Sequence, residues 1–324
     1  MTGARSAENR PLLPWEGAGL SRWFMMKHVP ARGKNRLRKY GIGLAFLAPA
    51  LLVFTVFQWV PILGNFFLAF TDYSPGIDAE WIGFANYRSV FNDPLLPRAV
   101  LNTLTYVGIC LVIGYCLPIA AAIAISEIRR GRGFFRLAIY IPNIIPAIAT
   151  YIIWRWIFNP DFGLLNQILG FFDIAPQPWI VSRSQVLVSL SIMATWQGFG
   201  STAVLYMASL TSINPELYEA AELDGAGFLQ RVRSVTLPSL APTMKLLLVL
   251  QLIATFQVLQ EPFVMTSGGP NNASLSVMLL AYRYAFSFID FGRAGALGSL
   301  LFVVMIGLSI FYVRKSGLAD AKGA

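Results

Sequence analysis

The feature that most constrains this chain is a set of long apolar runs separated by polar loops. About 20 apolar residues are needed to carry a helix across the hydrocarbon core of a bilayer. Six segments reach that length, near Leu44–Leu68, Leu101–Ile125, Leu137–Ile157, Val186–Leu210, Leu246–Met265 and Ala294–Val313. Of the 324 residues, 56% are hydrophobic and only 13% charged, about half the charge that soluble domains carry (~25%). So few charges cannot clothe a globular surface of this size, whereas lipid removes the need. The expected class is all-α, a polytopic membrane protein with six transmembrane helices.

The net charge of +9 invites a nucleic-acid reading, but the placement of the charges excludes it. Nine of the 25 basic residues fall in the first 39 positions, four between Arg129 and Arg136, three between Arg231 and Lys245, and three from Arg314 onward. These 19 lie on one side of a six-span arrangement. Arg88, Arg98, Arg155, Arg183, Arg283 and Arg293 lie on the other. The side rich in Lys and Arg is expected to be cytoplasmic, which places both termini there. Residues 1–40 read as a cytoplasmic tail, 41–315 as the membrane domain and 316–324 as a second cytoplasmic tail. Trp15, Trp23, Phe24, Met25 and Met26 among basic residues suit a segment lying on the membrane surface; disorder of the first 20 residues is the alternative.

Chemistry that needs metal ligands or paired acids finds little support. The single histidine, His28, sits in the tail. Cys110 and Cys116 share one apolar run, and a spacing of six puts them on different helix faces. No Gly-x-x-x-x-Gly-Lys-Ser/Thr phosphate loop occurs. If the protein uses ATP, another subunit must bind it.

One internal loop, about residues 211–243, is long. Asn214 suits a helix N-cap, Pro215 the first helical position, and Glu216 and Glu219 the first turns of the helix. Ala220 and Ala221 make a thin helix face, and Gly225 permits a sharp turn. A second short helix with Arg231 and Arg233 follows, and Pro238 and Pro242 are expected to break it before the next span. By spacing alone this is either a solvated helical hairpin or a docking surface.

Glu219-Ala220-Ala221, Gly225 and Val235-Thr236-Leu237-Pro238 together resemble the EAA loop of the membrane (permease) subunits of binding-protein-dependent ABC importers. Trp81–Tyr87, Asn102-Thr103, Gly163–Asn166 and Thr266–Pro270 are similar to segments of the carbohydrate branch, of maltose and glycerol-phosphate type. The resemblance covers roughly residues 40–315. It implies a type I ABC importer permease fold in the bacterial inner membrane. It also implies coupling of Glu219, Ala220, Ala221, Asp224 and Gly225 to a cytoplasmic ATPase, and no cofactor in this chain, with ATP and Mg held by two ATPase subunits. The other implied partners are a second permease subunit in a heterodimer and an external solute-binding protein docked on residues 71–99 and 266–293.

Polar side chains inside spans are costly and are read as functional by default. Tyr140, Asn143, Trp196, Gln197, Gln257, Gln260 and Glu261 are the substrate-pathway candidates, with Gln58, Tyr151 and Gln251 beside them. Their ordinary alternative is hydrogen bonding between helices. The related pattern places an acid one position earlier than Glu261, so Glu261 need not inherit that acid's role. A sugar or oligosaccharide is the expected substrate, with glycerol phosphate or another small polar solute as the alternative. An ion-coupled secondary transporter fits poorly, because the span centres are nearly free of charge.

Overall fold

The computed structural model describes residues 44–76, 78–128 and 130–316. The expected surface segment of the N-terminal tail, His28, the loop residue Arg129 and the last eight residues lie outside them. The chain divides into two units at Pro61–Ile62. In the first, residues 44–61 form most of helix α1 (Leu44–Leu68), with a π turn at Thr55–Trp59 and exposed apolar side chains such as Phe46, Leu52 and Phe57.

The second unit is also helical. Its helices are α2 (Ala85–Phe91), α3 (Leu95–Glu127), α4 (Arg132–Ile144), α5 (Ala147–Ile157), α6 (Leu164–Gly170), α7 (Val186–Leu210), α8 (Pro215–Leu223), α9 (Phe228–Phe256), α10 (Gln260–Thr266), α11 (Val277–Tyr282) and α12 (Phe291–Ser316). Among the described residues the only strands are the two-residue pair β1 (Thr71–Asp72) and β2 (Glu80–Trp81), antiparallel, with Thr71 opposite Trp81.

All six expected spans correspond to helix, with three differences. Four helices (α1, α3, α9 and α12) are individually long and apolar enough to cross a membrane. The third span is not one rod: α4 and α5 meet at a 96° bend. Pro146 forces it, because proline disfavours helical backbone in the preceding residue, and Ile145 is extended. The fourth, α7, is a continuous 25-residue helix, but Trp196, Gln197, Gly198 and its Ser and Thr residues dilute its apolar character. The fifth begins earlier and ends earlier than Leu246–Met265. Pro238 and Pro242 do not break the chain before it. A π turn at Val232–Thr236, closed by the Leu237 N–H to the Val232 carbonyl, precedes both prolines, and the helix runs on to Phe256. The extra residue of a π turn lets a helix absorb a local defect instead of stopping.

Large apolar residues remain exposed along the spans, for example Ile152, Leu250 and Val303, as lipid-facing surface requires. Three clusters hold the interior. Tyr106, Tyr151, Phe158, Leu190 and Met193 form one; Leu275, Leu280, Tyr284 and Ala296 a second; Ile119, Ala122, Ala203, Tyr206 and Leu240 the third. Small residues allow the closest helix approach: a Cβ on Gly200 of α7 would run into the backbone carbonyl of Ile139 in α4. Gly198, two residues earlier, has open space around the same position. Gly200→Ala is therefore expected to destabilise the detergent-solubilised protein by ~1–3 kcal/mol through overpacking. Gly198→Ala should leave the thermal midpoint within error of wild type, and equal midpoints for the two variants would refute this account of the α4–α7 contact.

Candidate functional site

A cavity of about 580 Å³ opens between α3, α7, α9 and the start of α10. One end of it is formed where the fifth span is interrupted. α9 ends at Phe256, residues 257–259 leave the helix, and α10 restarts at Gln260. The cavity wall is mixed. Leu205, Leu247 and Leu250 supply apolar surface, while Thr195, Ser201, Thr202, Gln251, Thr255, Gln260 and Glu261 supply hydroxyl, amide and carboxyl groups. Glu261 stands in the first turn of α10, where a carboxylate suits the helix dipole. Gln251 is oriented by its Nε2, which donates to the Cys110 carbonyl at 2.7 Å. Gln260 Oε1 accepts from the Tyr151 hydroxyl at 3.3 Å. Polar groups on an apolar wall can hold a small hydroxylated solute by hydrogen bonds while leaving it free to move on.

Of the residues singled out from sequence, Gln251, Gln260 and Glu261 line this cavity. Tyr140, Asn143, Trp196, Gln197 and Gln257 do not. Tyr140 and Asn143 are exposed on α4, Trp196 lies edge-on to Trp154 at 5.4 Å, Gln197 is half-buried, and Gln257 caps the end of α9 in an exposed position. Sequence reasoning overlooked the hydroxyl row of Thr195, Ser201 and Thr202 and the side chains of Tyr106 and Cys110. A signal was present: Thr195 and Thr202 are seven residues apart, which returns to one helix face.

The long loop carries the second candidate surface. Asn214 Oδ1 accepts from the Glu216 N–H at 3.1 Å, so α8 starts with its expected cap and Pro215 at the first position. Its end is also as expected. Gly225 takes φ +78, and the Ala226 N–H returns to the Ala221 carbonyl at 2.9 Å. α8 is tied to the start of α9 by Tyr218, whose hydroxyl lies 3.1 Å from that of Thr236, and by a Glu222–Arg231 ion pair. Its other face is uncovered by the described residues. Glu219, Ala220, Asp224 and Gly225 are exposed, Ala221 is half-buried, and Leu217 and Leu223 project into solvent, Leu223 at 90%. α8 thus presents small residues and two leucines on its exposed face.

The other sequence segments prove to be loop anchors. Asn86 Nδ2 donates to the carbonyls of Ala69 (3.0 Å) and Thr71 (2.9 Å), Trp81 stacks on Phe70, and the Tyr87 hydroxyl meets Ser299 at 2.9 Å. Asn102 and Thr103 lie two turns inside α3 and not at its start. Asn102 donates to the carbonyls of Asn272 and Leu275, and Thr103 accepts from the Val277 N–H. Asn166 uses its whole amide: it donates to Pro160 and Gln177 carbonyls and accepts from the Gln177 N–H and the Trp179 indole. Asp93 is an anchor as well, its Oδ1 accepting from the Leu95 N–H and its Oδ2 from the Tyr284 hydroxyl at 2.6 Å. Burial, and then the Asp93 carboxylate, push the Tyr284 phenol above its ordinary value, so it remains a donor. Arg283 donates to Asn272 Oδ1 and to the Ser267 carbonyl, and partial burial lowers its pKa.

Known proteins share this fold. Residues 114–316 match the family described as binding-protein-dependent transport system inner membrane component. A probable ABC transporter permease protein of Bacillus subtilis, YurN, is 34% identical, the match covering 83% of this chain and 94% of that one. The trehalose/maltose transport system permease protein MalF of Thermococcus litoralis is 29% identical over 87% of this chain and 95% of its own. Among solved structures, a chain of the bacterial alginate ABC transporter in complex with an alginate pentasaccharide-bound periplasmic protein superposes with a TM-score of 0.80 at 25% identity, covering 91% of this chain and 100% of that chain. With its helices, its interrupted fifth span and its capped loop helix in place, this chain belongs to the family of inner-membrane components of binding-protein-dependent transport systems.

Proposed function

We propose that the chain is the permease subunit of an ABC importer for a sugar or oligosaccharide, and that it forms the pathway with a second, different permease. The observation that carries this is the pairing of a polar-and-apolar cavity with an exposed small-residue helix on one continuous element. α9 begins beside α8 and ends in the cavity wall at Ala254 and Thr255. A movement of α8 against an ATPase is thereby passed along a rigid helix to the solute site. Glu219, Ala220, Ala221, Asp224 and Gly225 form the ATPase contact in this reading. ATP and Mg are bound by two separate ATPase subunits, so this chain supplies binding and gating and no catalysis of its own.

The relatives support the substrate class. MalF is a trehalose/maltose permease, the arabinooligosaccharide permease AraP of Bacillus subtilis is 30% identical, and the alginate transporter was solved with an oligosaccharide-bound periplasmic protein. By the same analogy a solute-binding protein docks on the loops 71–99 and 266–293, which the Asn86, Asn102 and Arg283 anchors hold in shape. Thr195, Gln251, Gln260 and Glu261 are the substrate contacts favoured by the cavity. Tyr140, Asn143, Trp196, Gln197 and Gln257 would serve only on faces turned toward the second permease.

Three outcomes follow from this reading. Gly225→Val places a β-branched residue in left-handed backbone, at a cost of ~1–2 kcal/mol. It should abolish uptake of labelled oligosaccharide by the reconstituted complex while membrane insertion persists, and wild-type uptake would sink the coupling role. Gln260→Ala should slow the same uptake about tenfold through one lost solute hydrogen bond; an unchanged rate would remove the cavity from the pathway. For orientation, single cysteines at Asp161 and Leu223 are placed in a Cys110→Ser, Cys116→Ser background. An impermeant maleimide should label Asp161→Cys from outside spheroplasts and Leu223→Cys only in inverted vesicles, and the opposite pattern would reverse the topology.

A further inference from the structure

A second cavity, of about 340 Å³, lies beside α8 and is separate from the solute cavity. Its wall comes from the end of α3 (Glu127), the end of α7, the start of α4 (Arg132, Arg136) and the long loop (Tyr218, Glu222, Arg231). Three arginines line it against two acids, so the wall carries an excess of positive charge. Glu222 is taken by Arg231, while Glu127 is exposed and makes no ion pair among the described residues. Among the described residues the only ion pairs are Arg231–Glu222 and Arg293–Asp290, so neither Arg132 nor Arg136 has an acidic partner. Arg132 Nε donates to the Ile125 carbonyl at 3.2 Å. The Nε atoms of Arg136 and Arg231 are buried and meet no acceptor among the described residues.

Guanidinium groups that line a cavity without a carboxylate partner favour an anion there, which their terminal N–H groups can hold. Arginine forks match the oxygen geometry of phosphate better than lysines do. Arg132 is also the first residue of α4, where free backbone N–H groups favour negative charge. The volume falls within the range of small-molecule pockets (~300–1,000 Å³), larger than a bare phosphate needs.

We propose that this cavity binds a phosphate group carried on a larger body, either a soluble phosphate ester or a phospholipid headgroup. Bound there, it bridges the Arg132–Arg136 face of α4 to Arg231 and so holds α8 against the start of the third span, restraining the coupling motion. The restraint rests on the permease reading above, whereas the binding does not.

The test uses the protein, with any ATPase that co-purifies, in nanodiscs of phosphatidylcholine. Glucose 6-phosphate is titrated by calorimetry as the soluble probe. Phosphatidylglycerol added to the nanodisc, and counted by native mass spectrometry, is the lipid probe. Nanodiscs expose both faces, so the result does not depend on orientation. One probe is expected to bind and to slow ATP hydrolysis by the complex. Arg136→Gln and, independently, Arg132→Gln should each weaken it about tenfold (~1.4 kcal/mol), and Glu127→Gln should not weaken it. Binding of neither probe at millimolar concentration, or equal binding by both arginine variants and wild type, overturns the site. Binding without any change in ATP hydrolysis overturns the restraint. Absence of a co-purifying ATPase tells against the permease reading and leaves the binding result standing.

Discussion

Hydrocarbon offers no hydrogen-bond partner, so backbone that leaves a helix at membrane depth must find its partners within the protein. The interruption after Phe256 depends on this. The N–H groups of Gln257 and Val258 fold back to the carbonyls of Ala254 and Thr255, and the Val258 carbonyl accepts the Ser276 hydroxyl at 2.6 Å. Ser276 in turn caps α11 through the Leu279 N–H. Thr103 and Asn102 fix the neighbouring residues to α3. Because these side chains satisfy the opened backbone, the helix can stop inside the protein. The space it vacates is part of the solute cavity.

The same economy governs the link between the two ends of the machine. A proline pair in a helix ordinarily leaves carbonyls without donors and kinks or ends it. Here the π turn at Val232–Thr236 takes up the defect, and α9 continues from the loop to the cavity. Cross-ties hold that rod in place: Ser209 to Thr243, Tyr115 to the Met244 carbonyl, Gln251 to the Cys110 carbonyl. In the proposed reading, coupling and solute binding share this one stiff element and need no chain of small relays.

Much of the candidate coupling surface was legible in the linear chain, because helix caps are local. Asn214 and the turn at Gly225 act through bonds to residues within five positions and Pro215 through its fixed backbone angle, and the structure has them where the spacing predicts. The cavity was less legible. Gln260 and Glu261 stood out as polar groups in an apolar run, but Tyr140, Asn143, Trp196, Gln197 and Gln257 stood out equally and lie elsewhere. Which way a span residue points depends on where its helix bends. The 96° turn at Pro146 and the stop at Phe256 rotate those faces away from any straight-rod expectation.

The amino-acid sequence by itself determined that this is a membrane-spanning helical protein, which flank of each span is basic, and where the loop helix begins and ends. Hydropathy, charge placement and capping all act through residues near one another in the chain. Only the tertiary structure decided which polar residues share a cavity, that Asn86, Asn102 and Asn166 are loop anchors, and that Arg132, Arg136 and Arg231 line one cavity beside α8. Those outcomes rest on contacts between segments tens to hundreds of residues apart. Such contacts form only once bent and interrupted helices have found the neighbours that satisfy their backbone.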